Sequence, residues 1–297
     1  MPDGTPIELL RSLAVFAEAP TRQHGTLSEA LGFESAPSPA SYADVFSFQL
    51  YPYASVYSGP EGMMGGEARD RVAGLWRALG HDVPTEPDHL AAMLGLYAEL
   101  SAASGTMPGP EAALVDEGRR TLLSEHLAPW LFVWLERAGE IAPSPYRAWA
   151  ETLHQLLRAE VRRLGVGDVP PSHALRSCPG LSDPRDAGSA AFVADLLAYA
   201  RTGVLVTRAD LATIAHRLDL GLRAGERRYA LEHLLAQDAP AVLGALAEAA
   251  ESAASAHRAR APWLPQLANH FGERAEATHE LLRSLEREAS VPAESGS

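Results

Sequence analysis

Apolar residues recur at helical spacing along most of the chain, and no stretch alternates convincingly as a strand would. Tyr146, Trp149, Ala150, Leu153, Leu157, Val161 and Leu164 fall on one helical face, as do Leu90, Met93, Leu94, Tyr97 and Leu100. A third stripe, Leu211, Ile214, Ala215 and Leu218, opens with Thr207 and has Asp210 three residues on, the spacing of a capping box. Thr85 and Asp88 stand at the same spacing before the Leu90 stripe, which predicts that Thr85 caps that helix with Asp88 at its third position. The run Trp130 to Leu135 is apolar on every side; Pro129 before it suits a first helical turn, so it reads as a buried helix at the centre of the core. The predicted class is all-α.

Organisation follows from where this periodicity stops. Between Gly165 and Gly188, glycine, proline and serine replace it for more than twenty residues, so residues 166–187 read as a linker or functional loop. A helical domain is expected over 1–165, a second helical region over 188–288, and a disordered tail over 289–297.

Charge and composition exclude several functions. The 297 residues carry 38 acidic and 25 basic side chains, a net of -13, and every basic one is arginine. That charge repels nucleic acid and anionic lipid. No run approaches the roughly 18 apolar residues of a membrane span, and the first twenty residues lack the basic start of a secretory signal. The single cysteine, Cys178, excludes an internal disulfide framework, so a reducing, cytoplasmic location is expected.

Chemistry-bearing motifs are sparse. The stretch from Tyr51 to Trp76, YPYASVYSGPEGMMGGEARDRVAGLW, holds four glycines but no dinucleotide fingerprint or phosphate loop, and no lysine exists to reach a phosphate. It reads as a helix end, a glycine turn and a helix start, with Gly66 letting the second helix begin close against a neighbour. That helix, over 67–79, places Glu67 and Arg71 at i, i+4 for an ion pair. Tyr51, Tyr53, Tyr57 and Trp76 can form an amphipathic wall of the kind used in peptide recognition.

Three Glu-x-x-His pairs occur, Glu86/His89, Glu151/His154 and Glu276/His279, the pattern of di-iron helical bundles. With 11 histidines and 25 glutamates, chance supplies about one such pair. A metal-dependent bundle enzyme using Glu86 and His89 is therefore the alternative reading. Thr207 to Leu235 has a helix-turn-helix outline, but its charges nearly cancel, which favours two packed helices over a DNA reader.

Two motifs carry a family resemblance. EPDHLAAMLGLYAEL, Glu86 to Leu100, and EHLAPWLFVWLERA, Glu125 to Ala138, with GPEGMMGGEARDRVAGLWRALG upstream, resemble the signature stretches of the TorD/DmsD/NarJ redox-enzyme maturation chaperones. The likeness spans about Pro6 to Leu164. One departure is that Asp88 follows Pro87 directly. The resemblance implies an all-helical, non-enzymatic cytoplasmic chaperone, monomeric or dimeric. Such a chaperone binds the leader peptide of an apo-molybdoenzyme catalytic subunit, often a twin-arginine export signal, until cofactor is loaded. It implies no cofactor in the chaperone itself; the molybdopterin belongs to the client. The client-binding residues it points to are Tyr51, Tyr57, Glu67, Arg71, Trp76, Glu86, Asp88, His89, Tyr97, Glu125, His126 and Trp130.

Overall fold

The computed structural model describes residues 7–223 and 225–291. The expected tail, 289–297, falls largely outside them; its first residue closes the last helix. The described residues are largely helical, and the one β-type contact among them is an isolated antiparallel bridge between Tyr53 and His89. The chain divides into two compact units. The first comprises Met1–Gly59 with Met63–Ser172, and the second Pro60–Gly62 with His173–Ser297.

In the first unit, the helices Leu90–Ser104, Ala128–Ile141 and Tyr146–Leu164 enclose an aromatic core. All seven residues of the Tyr146 stripe are buried, and the Trp130 to Leu135 run is helical, as its neighbours predicted. Phe46 meets Trp134, Tyr146 and Trp149 with ring centroids 5.8, 5.1 and 5.9 Å away. A buried indole N–H needs an acceptor. Each here has one: Trp149 donates to Leu13 O at 2.8 Å, Trp134 to Tyr51 O at 3.2 Å and Trp130 to His126 O at 2.8 Å. The last carbonyl belongs to a π-helical turn, Leu122–Leu127, whose wide winding precedes Ala128–Ile141.

The same core holds a buried carboxylate, Glu160, 3% exposed. Tyr97 donates to it at 2.7 Å and Arg163 grips both its oxygens at 2.9 and 2.7 Å. Burying a charge is tolerable only when it is paired and hydrogen-bonded in this way.

In the second unit a long hairpin, Ala239–Arg260 and Pro265–Ala289, supports the shorter helices Ser189–Leu196, Arg208–Arg217 and Arg227–Gln237. Ala247, Ala250, Ala254 and Ala275 keep the hairpin's inner face narrow, and Leu211, Leu231, Leu234 and Leu282 fill the space around it. The Thr207/Asp210 capping box forms: Thr207 N donates to the Asp210 carboxylate at 2.7 Å and Asp210 N to Thr207 Oγ1 at 3.3 Å. Gly203 has φ +67°, and a Cβ there would lie 2.4 Å from Phe271 O, so only glycine fits. The helix-turn-helix outline resolves into two packed helices whose arginines are engaged. Arg217 pairs with Glu248 at 2.7 Å and Arg228 with Glu232 at 2.9 Å.

Three local expectations change. Helix Leu90–Ser104 is capped by His89, whose Nδ1 accepts from Ala91 N at 3.2 Å, and not by Thr85. Pro87 and the pairing of this loop with Tyr53 keep residues 85–88 out of the helix. Gly66 begins its helix with φ +66°, and a Cβ placed there would meet nothing within 4 Å, so backbone conformation and not close packing selects glycine. The stretch Gly165–Gly188 contains short helices, Val166–Asp168, His173–Ser177 and Pro184–Ala187, and the two units divide within it.

Candidate functional site

The Glu86–His89 loop is built by satisfying its own backbone. Glycines 65 and 66, both at positive φ, turn the chain so that helix Gly66–Ala78 starts after the short helix Ala54–Ser58. Two side chains of the longer helix then hold the loop: Arg69 donates to Thr85 O at 3.1 Å, and the Trp76 indole to Pro87 O at 3.2 Å. From the other side, Ala54 N donates to Asp88 O at 2.9 Å and Leu90 N to Pro52 O at 2.7 Å. His89 N closes the loop on Glu86 O at 3.2 Å. The carbonyls of residues 85 to 88 are thus all occupied, as a partly buried loop requires.

Asp88 is 2% exposed, and its carboxylate accepts from Ser55 N at 3.2 Å, capping the helix Ala54–Ser58. Ser55 Oγ in turn accepts from Gly65 N at 3.1 Å. One carboxylate therefore ties the loop to the glycine turn. That turn carries Met63 and Met64, which are 69% and 60% exposed.

What the loop leaves open is a mixed surface. Glu86 is exposed and accepts from the Tyr53 hydroxyl at 2.9 Å, while the Tyr53 ring meets the His89 ring edge-on at 5.0 Å. Burial and the Glu86 bond push the Tyr53 phenol well above its ordinary range. Burial holds the His89 imidazole below its usual pKa, against the opposing pull of Glu86, Glu18 and Asp88. Its Nδ1 accepts from Ala91, so the neutral ring keeps its proton on Nε2. Tyr42 is raised by burial and by the same Glu86 and Glu18.

The twelve residues suggested by sequence separate into layers. Glu86, His89 and Trp76 meet at the loop. Asp88, Tyr57 and Trp130 lie beneath it, with Tyr57 stacked on Trp130 at 5.2 Å and donating to Tyr51 O at 2.9 Å. These three frame the surface and do not form it. Tyr97 is fully buried and turns to Glu160. Arg71 donates to Ser58 O at 3.4 Å and makes no ion pair with the exposed Glu67. Its charge, after burial, helps lower His126 to about 4. Glu125 is exposed on the π-helical turn. Ser55, Tyr42 and Glu18 had no distinguishing sequence signal, since their roles arise from neighbours ten or more residues away.

The Glu-x-x-His pairs do not converge. His154 contacts Glu136 at 3.3 Å, Glu276 pairs with Arg258 at 2.5 Å, and His279 Nδ1 donates to Ala247 O at 2.9 Å. Among the described residues no three His, Cys, Asp or Glu side chains gather as metal ligands. Cys178 is buried, and burial pushes its thiol up.

Residues 35–136 match the model of the family described as nitrate reductase delta subunit. Over this stretch, about a third of the chain, the sequence is similar to that family. Its members are NarJ/TorD-type chaperones that mature molybdoenzymes, with nitrate reductase-type subunits as partners. The matched stretch contains the whole Tyr53–His89 pairing and most of helix Ala128–Ile141, and none of the second unit beyond Pro60–Gly62. No curated protein and no solved structure matches the chain. Among the described residues no helix is long and apolar enough to cross a membrane.

Proposed function

We propose that this chain is a client-specific cytoplasmic chaperone that binds the N-terminal leader of a molybdenum-dependent oxidoreductase subunit and holds the apoenzyme during cofactor loading. The observation that carries this reading is the Glu86–His89 loop inside the family stretch. Its backbone is internally satisfied, so Glu86, Tyr53, His89 and Trp76 are held in place before any partner arrives. Such preorganisation lowers the entropic cost of binding an extended or helical peptide.

The chemistry suits a leader with an apolar helix and arginines. Met63 and Met64 offer adaptable apolar contact, and Glu86 a carboxylate for a guanidinium. The first unit holds 21 acidic against 12 basic residues, a field that steers a cationic peptide toward it. The molybdopterin cofactor belongs to the client.

Isothermal calorimetry tests the reading, using synthetic leader peptides of nitrate reductase-type molybdoenzyme subunits. The double variant Glu86→Gln, His89→Ala should weaken binding by about tenfold, some 1.4 kcal/mol, with the far-UV circular dichroism unchanged. Unchanged leader affinity in that variant would remove the loop from the binding surface.

A further inference from the structure

The second unit, outside the family stretch, contains an open cleft of about 390 Å³ lined by Arg176, Gly180, His270, Glu273, Arg274 and Ala277. Arg274 is half-buried and directs all five of its N–H donors at neutral acceptors. They are Leu175 O at 3.2 Å, Cys178 O at 2.5 Å, Pro179 O at 3.1 Å, Arg201 O at 3.2 Å and His270 Nε2 at 3.1 Å. Its hydrogen bonds are complete, yet no described carboxylate lies within ion-pair distance, so the positive charge stands unneutralised. Burial and the nearby Arg201 both act against that charge.

Arg176 lies at the end of helix His173–Ser177, exposed and without a described partner. Because His270 accepts through Nε2, its neutral ring carries the proton on Nδ1 and keeps one donor. Burial and the Arg274 cation hold this imidazole neutral, at about 4. Glu273 is the single carboxylate on the lining, against two guanidinium groups.

We infer that this cleft binds a small oxyanion, a carboxylate or a phosphate. Arg176 supplies the free two-pronged fork that grips it, Arg274 a fixed charge that attracts it, and His270 Nδ1–H a further hydrogen bond. Arginine suits the role because its planar fork matches two oxygens of one group.

The full chain is titrated with inorganic phosphate and, separately, with acetate, at constant ionic strength set with sodium chloride, following the Arg176 and His270 side-chain resonances. Saturable shifts at these two residues are expected. The better-binding arm assigns the ligand as phosphate or carboxylate. Arg176→Ala should raise the midpoint by about fivefold, the upper range for one exposed charge, while Arg22→Ala, on a helix of the first unit, leaves it unchanged. Shifts that do not saturate, that occur alike at other exposed arginines, or whose midpoint is the same in Arg176→Ala would overturn the site.

Discussion

Two proline-containing loops, one in each unit, solve the same problem in opposite ways. The 85–89 loop of the first unit spreads its carbonyls over four donors: Arg69 and Trp76 of the helix Gly66–Ala78, Ala54, and His89 of the loop itself. The 175–180 loop of the second unit hands Leu175, Cys178 and Pro179 to one guanidinium, Arg274. Distributed support tolerates the loss of any one donor and leaves exposed side chains free to meet a partner. Concentrated support makes a single residue indispensable, and its charge is then available to a ligand.

The comparison breaks most sharply at Arg274. Arg274→Ala removes a donor from four carbonyls at once; Leu175 O keeps Cys178 N at 3.2 Å and Pro179 O the Cys178 thiol at 3.5 Å, so the loss falls mainly on Cys178 O and Arg201 O. Each buried carbonyl left unpaired costs about 1–3 kcal/mol where water does not replace the donor. A total loss of about 4 kcal/mol is expected, read as a lower denaturation midpoint and faster amide exchange over 175–203. A loss under about 1 kcal/mol would mean that water substitutes for the guanidinium and that the support is not concentrated.

Acid should act on both units through partly buried imidazoles, chiefly His126 in the first, where His89 is also lowered by burial, and His270 in the second. His126 and His270 are both lowered to about 4, so between there and the unfolded value near 6.5 the unfolded chain binds more protons. Stability therefore rises with pH across that window, and is lost as pH falls from about 6.5 toward 4. The more deeply buried His126 contributes on the order of 3 kcal/mol. His270 contributes less, because the solvent in its open cleft screens the charge. His126→Gln should flatten the acid limb of the first unit alone, and equal flattening of both units would contradict separate origins.

The smallest effect is at Asp88. Asp88→Ala removes the cap of a short helix and should cost about 1–2 kcal/mol, whereas Asp88→Asn keeps an acceptor oxygen and should cost less than half as much. Chemical denaturation of the two variants side by side gives the ratio. Equal losses would mean that the carboxylate charge, and not the cap, holds the loop to the glycine turn.

The local elements were legible because helical periodicity and capping are short-range. The Tyr146 to Leu164 stripe, the all-apolar Trp130 run, the Thr207/Asp210 box and the Gly65–Gly66 turn each depend on residues within one or two turns. The Glu86–His89 motif was legible as a motif, and its partners were not. Thr85 and Asp88 have capping-box spacing, and nothing nearby in sequence says that Asp88 instead caps Ser55, thirty-three residues back. Tyr57 looked like a member of an amphipathic wall but is buried, because an aromatic in a core and one on a surface have the same periodicity.

The sequence by itself determined which segments are helices, where they turn and which motifs resemble a known family, since backbone geometry and apolar spacing act within a few residues. Only the tertiary structure decided which side chains reach a surface and which are consumed beneath it. A hydrogen bond such as Ser55 to Asp88, or Arg274 to Cys178 O, depends on two segments meeting in space. That meeting is set by the packing of whole helices, and no local pattern encodes it.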